Sequence, residues 1–148
     1  MLKGIDPILN ADLLWVLRAM GHGDALVLAD ANFPSDAIAR ATVHGRLLRV
    51  DRPLPEVARA VLSVMPLDTF VEDFAGRMQV VGEPDAVPEV QAEVQAAIAE
   101  AGEARPLVAV ERHAFYAAAR AAYAVVQTAE RRLYGCVYLR KGVIGPDA

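Results

Sequence analysis

Only one cysteine, Cys136, occurs in the chain, so no disulfide can form within it. A fold held by bridges is excluded, and a reducing compartment is expected. No long apolar run is present either. Runs such as Ala25 to Ala29 fall far short of the roughly 20 residues that cross a bilayer. Asp6 and Pro7 stand where a secretory signal would need its apolar stretch. Basic clusters are missing as well: fifteen Lys and Arg are scattered among nineteen Asp and Glu, for a net charge of −4. The densest spots, Arg131-Arg132 and Arg140-Lys141, are only pairs. Phosphate tracks need more than that, so neither nucleic acid nor a membrane is expected as a partner, and the protein is expected in the cytoplasm. No internal repeat appears, which excludes a solenoid.

Several catalytic signatures are also lacking. His22, His44 and His113 lie far apart with no His-x-x-x-His or Cys-x-x-Cys spacing, so no metal site is expected. The nucleophile elbow Gly-x-Ser-x-Gly of α/β hydrolases does not occur. Gly21-x-Gly23 has no third glycine and follows a helix rather than a strand, which rejects a dinucleotide fingerprint.

What is present is a filled core, with 55% hydrophobic and 23% charged residues over 148 positions, the size of one domain. Asn10 reads as an N-cap for a helix with Leu13, Leu14, Leu17 and Met20 on its apolar stripe, closed by a left-handed Gly21. Ala25 to Ala29 reads as a strand covered on both faces. Ser35 or Asp36 is placed to cap a short helix. Further strands are predicted at Arg46–Val50, Met78–Val81, Leu107–Val110, Ala124–Gln127 and Val137–Leu139. Helices are predicted from Pro55, from Pro88 to Ala101 with Gly102 ending it, and from Ala114 to Ala122. Alternating strands and helices predict an α/β fold. It is expected to be a single three-layer domain over residues 1–148. A mostly parallel mixed sheet would carry helices on both faces, with the last strand antiparallel to its predecessor.

In such folds ligands gather at the carboxyl ends of strands, which points to Asp30. Its carboxylate can accept two hydrogen bonds from sugar-like hydroxyls, or it can simply cap the turn from Asn32 to Ser35. His22 lies between two glycines that permit close approach of a ligand, and an imidazole both gives and takes protons near neutrality. The alternative is a surface histidine in a loop. Arg112 follows a strand and can fork onto oxygens or be solvated there. Tyr134 can stack on a sugar ring or begin the last strand. Phe115-Tyr116 reads as core packing.

Taken together, Met1-Leu2-Lys3-Gly4-Ile5, Gly21-His22-Gly23-Asp24, Asp30-Ala31-Asn32-Phe33-Pro34, Phe115-Tyr116, Tyr134-Gly135 and Lys141-Gly142-Val143 resemble the RbsD/FucU family in order and spacing. The resemblance covers essentially the whole chain. Asp30 to Pro34 and Phe115-Tyr116 look like its L-fucose mutarotase branch. It implies His22 as the acid/base residue and Asp30 and Arg112 as sugar-binding groups. Tyr134-Gly135-Cys136 then corresponds to a Tyr-Gly-Asn segment lining the site. Cysteine thus stands where asparagine is usual, and a thiol cannot supply an amide's paired donor and acceptor. The family also implies a homo-oligomer, in bacterial members a decamer of two rings, with sites near subunit boundaries.

The implied reaction needs no cofactor. A proton reaches the ring oxygen of a cyclic hemiacetal as another leaves the anomeric hydroxyl; the open aldehyde rotates and closes on its other face. A positioned acid/base contributes roughly 10² to 10⁴ in rate, or about 3 to 5 kcal/mol off the barrier. A monosaccharide is the implied partner. The rival readings are a non-catalytic monosaccharide-binding protein beside a transporter or regulator, and a purely structural oligomerisation domain. The first has no need of His22, and the second leaves the polar strand ends unexplained.

Overall fold

The computed structural model describes residues 2–147. Helix α1 (Ala11–Ala19) begins where Asn10 predicts, with the Asn10 side chain accepting the Leu13 amide at 3.0 Å. It ends on Met20, and the left-handed residue is Gly23 (φ +84°) rather than Gly21. The reason is long-range: Gly23 turns so that its N–H reaches the Lys141 carbonyl.

Strand β1 (Ala25–Ala29) matches its predicted limits. Helix α2 (Ser35–Ala39) then forms without a side-chain cap, because Ser35 and Asp36 lie inside it and Pro34 precedes it. After β2 (Leu47–Val50), α3 (Leu54–Leu62) opens on Leu54-Pro55, and α4 (Glu89–Glu100) follows β3 (Ala75–Met78). The last elements are β4 (Val108–Val110), α5 (Arg112–Ala121), β5 (Ala124–Thr128) and β6 (Val137–Arg140).

Two boundaries move for physical reasons. Strand β3 ends where the pattern predicts it to begin, because its interior is Gly76-Arg77 rather than an apolar run. A Cβ on Gly76 would run into the Tyr138 ring of neighbouring β6. Arg77 is tolerated in the sheet because its Nη1 donates to the Ala86 carbonyl and to Gln91 Oε1. Helix α5 starts two residues early because the Glu111 carboxylate accepts the His113 and Ala114 amides. Arg112 is therefore the first helical residue, not a strand end.

The six strands lie in the order β2-β5-β1-β6-β3-β4. β6 runs against both its neighbours, β1 and β3, while the other pairs are parallel. It is opposed in direction to β5, its predecessor in sequence, but β1 lies between them.

Alternate strand residues serve two cores. Leu26, Leu28, Val126, Val137 and Leu139 pack towards α1, α3 and α4; Val27, Ala29, Val125 and Tyr138, with Cys136 just before β6, pack towards α2 and α5. Helices thus cover both faces, and each large apolar side chain so buried contributes roughly 1.5–3 kcal/mol. Among the described residues no helix is long and apolar enough to cross a membrane.

Candidate active site

A cavity of about 230 Å³ opens at the carboxyl ends of β1 and β3. Asp30, Arg112, Tyr134 and Cys136 line it, together with Asn32, Phe33, Met78, Tyr116 and Leu133. It is smaller than the roughly 300–1,000 Å³ typical of sites for drug-sized ligands, and suits a molecule of about one sugar ring. The lining mixes polar groups with aromatic and aliphatic ones.

Asp30 leaves β1 with only 5% of its surface exposed. One oxygen, Oδ1, accepts the Asn32 and Phe33 amides at 2.9 and 3.0 Å, which is the turn-capping role. The other, Oδ2, accepts from the Cys136 thiol at 3.5 Å beside the cavity. One carboxylate therefore caps the turn with one oxygen and holds the other beside the cavity. Burial first, and then the Asp30 charge, push the Cys136 thiol well above its ordinary pKa. Sγ stays protonated at neutral pH and acts as a small weak donor. Arg112 stands at the mouth on the first turn of α5, its guanidinium 5.8 Å from the Tyr116 ring centroid.

The loop into β6 is tightly built. Tyr134 is left-handed (φ +61°), a conformation that costs a non-glycine residue about 1–2 kcal/mol. Its hydroxyl accepts the Val81 amide at 3.2 Å, and its carbonyl accepts Gln91 Nε2 at 2.8 Å. Gly135 is dictated by space, since a Cβ there would stand 2.9 Å from Glu130 Cγ and 3.2 Å from Asp30 Cβ. Buried Glu130 gathers the Arg131 and Arg132 amides and the Arg132 guanidinium, which also forks onto Glu93 of α4. The Arg132 hydrogen bond outweighs desolvation and holds the Glu130 carboxyl below its ordinary pKa.

His22 is elsewhere. It precedes β1, whereas Asp30 follows it, so five strand residues, about 16 Å of rise, separate the two. Its ring lies edge-on to exposed Phe70, and its Nε2 is 3.0 Å from Asp68 Oδ2. Asp68 is 2% exposed, and its other oxygen accepts the Phe70 amide. Burial alone would raise the Asp68 pKa. The Phe70 amide, the His22 ring and the charge of Arg140 together overcome that and keep it below its ordinary value. An ionised carboxylate only accepts, so His22 Nε2–H donates to Asp68 and Nδ1 is left to face outward. The side chain is 47% exposed.

A family model described as the RbsD / FucU transport protein family matches residues 3–144. The chain belongs to this family. It is 42% identical to the human fucose mutarotase over 97% of this chain and 94% of that protein. Among solved structures, protein Atu2016 is 52% identical, with a TM-score of 0.95 over 98% of this chain and 97% of that one. The fucose mutarotase from Streptococcus pneumoniae, solved in complex with L-fucose, is 37% identical, with a TM-score of 0.87 over 97% of this chain and all of the other.

Within the RbsD/FucU fold of this chain, the cavity brings together Asp30, Arg112, Tyr134 and Cys136, with Gly135 packed behind them; it leaves out His22. Sequence reasoning missed Asp68, Gln91 and Glu130. Asp68 is 46 residues from His22, and the only local sign was Asp68-Thr69-Phe70, a spacing that forms an Asx turn. Gln91 reads as part of the polar face of α4, yet it is fully buried.

Proposed function

We propose that this chain is a monosaccharide mutarotase acting on L-fucose or a closely related pyranose. The observation that carries the reading is the single-ring cavity whose lining combines the polar Asp30 and Arg112 with the apolar Phe33, Met78 and Tyr116. A sugar likewise combines hydroxylated edges with carbon-bound faces. The RbsD/FucU membership and the full-length likeness to fucose mutarotases support it.

His22 supplies the acid/base group, with Asp68 orienting its ring. Asp30 accepts sugar hydroxyls on Oδ2, and Arg112 donates to sugar oxygens across the mouth. Tyr134 and Cys136 complete the wall. Because His22 and Asp30 sit at opposite ends of β1, one copy's His22 serves a neighbouring copy's cavity. The protein is accordingly a homo-oligomer in the cytoplasm, with the decamer of bacterial members as the leading form. Exposed Phe70 beside His22 and exposed Leu133 at the cavity rim are the apolar surfaces such a contact covers.

The test is magnetisation-transfer NMR between the α and β anomers of a sugar panel, with and without protein. Accelerated exchange is expected, and His22→Ala abolishes most of it while sugar affinity stays within a few-fold. A protein that binds sugar without accelerating exchange is the non-catalytic binder instead. Mixing inactive His22→Ala with inactive Arg112→Ala chains is expected to restore activity in mixed oligomers. No restoration would place His22 and the cavity within one copy.

A further inference from the structure

We infer that Gln91 is a positioning residue that fixes Tyr134, and with it the Gly135-Cys136 wall, in the geometry that binds the sugar. This rests on the sugar-site reading above. Gln91 is fully buried in the first turn of α4, two residues after Glu89. Its Nε2 donates to two backbone carbonyls, those of Met78 and Tyr134, each at 2.8 Å. Both residues line the cavity, and they arrive from different directions, one at the end of β3 and one in the loop before β6. One amide thus ties two walls together.

The orientation of that amide is itself fixed. Gln91 Oε1 accepts from Arg77 Nη1 at 3.2 Å, and a guanidinium can only donate. Oε1 must therefore face Arg77, which turns both Nε2 hydrogens towards the two carbonyls. Arg77 is anchored in turn on the Ala86 carbonyl. The chain of bonds runs from Ala86 through Arg77 and Gln91 to Tyr134, and ends on the one non-glycine residue with positive φ among those described. A left-handed tyrosine persists only where its surroundings over-determine it. Its carbonyl bond to Gln91 and its hydroxyl bond to the Val81 amide are the two restraints that do so.

The same helix offers a control. Gln95, one turn further along α4, makes an equivalent clamp: its Nε2 donates to the Arg105 carbonyl and its Oε1 accepts the Leu107 amide. That clamp holds the approach to β4, and its partners, Arg105 and Leu107, are not cavity residues. Both glutamines staple the chain, but only Gln91 staples the site.

The experiment compares Gln91→Met and Gln95→Met in thermal melting, in sugar exchange and in the ring NMR signals of ¹³C-labelled tyrosine, with the Tyr134 signal assigned by Tyr134→Phe. Both variants are expected to melt lower. Only Gln91→Met is expected to shift the Tyr134 signal and to lower kcat/KM for exchange, by about 10- to 100-fold. The loss falls mainly on KM, because the proton-transferring His22 is untouched. Combining Gln91→Met with Tyr134→Ala is expected to cost little more than Tyr134→Ala alone, as coupled residues do. Gln91→Glu guards against a failure to fold. It keeps the shape and gives Arg77 a charged partner but removes both donors, and it is expected to reproduce the loss. Either Gln91 variant exchanging sugar with an unchanged KM, an additive double variant, or an equal effect from Gln95→Met would overturn the inference. If the wild-type protein accelerates no exchange, the sugar reading fails, while the Tyr134 signal still decides the clamp.

Discussion

Replacing Cys136 with asparagine puts an amide where a thiol now donates weakly to Asp30 Oδ2 at 3.5 Å. The side chain is 2% exposed, yet it forms part of the cavity wall, so the two extra heavy atoms extend into the cavity and the fold is kept. The amide N–H reaches Asp30 in a charge-assisted bond of about 1.5–3 kcal/mol. That bond turns the amide oxygen to the sugar as a new acceptor. A hydroxyl that meets it gains roughly 0.5–1.5 kcal/mol, or about 2- to 13-fold in kcat/KM. A sugar with no hydroxyl there gains nothing and finds Asp30 Oδ2 partly occupied. The expected outcome is a reordering by up to about tenfold among L-fucose, its stereoisomers and ribose, read as exchange rates by magnetisation transfer on both proteins. If every sugar's rate moves by one common factor, the position contributes only backbone contacts and the argument fails.

Asp30→Asn is expected to weaken sugar affinity by about 10-fold or more, the scale of a lost charge-assisted bond. Titration calorimetry measures this, and melting should hold because an amide oxygen can still cap the Asn32 and Phe33 amides. Gly142→Ala drives a Cβ into the Leu67 carbonyl and to within 2.9 Å of the Asp68 nitrogen, backbone that cannot yield. It is expected to cost about 1–3 kcal/mol, seen as a Tm several degrees lower, and to slow exchange by displacing Asp68 from His22. Gly145→Ala faces open space and should change neither. Acid should destabilise the fold in a defined direction. Asp68 and Glu130 are buried carboxylates held below their ordinary pKa, so their stabilisation is present above the unfolded value near 4 and is lost as pH falls through their folded values. Melting between pH 6 and about 3 should show Tm dropping below roughly pH 4.5; a flat profile would contradict both assignments.

Local pattern made much of this fold legible. The five-residue apolar run of β1, the Asn10 cap and the amphipathic α4 are written in neighbouring residues, and each formed as read. Strand β3 was displaced because what permits Gly76 and Arg77 in a sheet is a tyrosine on β6 and a glutamine on α4, neither of them near in sequence. The site divides in the same way. Asp30 announced itself by following a buried strand. Asp68 and Gln91 act through partners 46 and 43 residues away, and no periodicity carries that. Cys136 was found only because a family pattern made its departure visible.

The position of β6 bears on how the chain folds. β2, β5 and β1 form one run of parallel strands and β3 with β4 another, and nothing in the sheet joins the two runs except β6. Yet β6 comes after every other strand in the sequence, at Val137–Arg140. During synthesis both runs therefore leave the ribosome with a bare edge, and neither can close until the final strand slides between them. Joining strands so distant in sequence is slow, because the loop-closure entropy must be met before any pairing rewards it. Until then Leu26, Leu28 and Ala75 flank open backbone edges that invite pairing with other chains. The assembly hazard of this protein is concentrated in the interval before its last strand arrives, and a chain cut before Val137 would remain in that interval permanently.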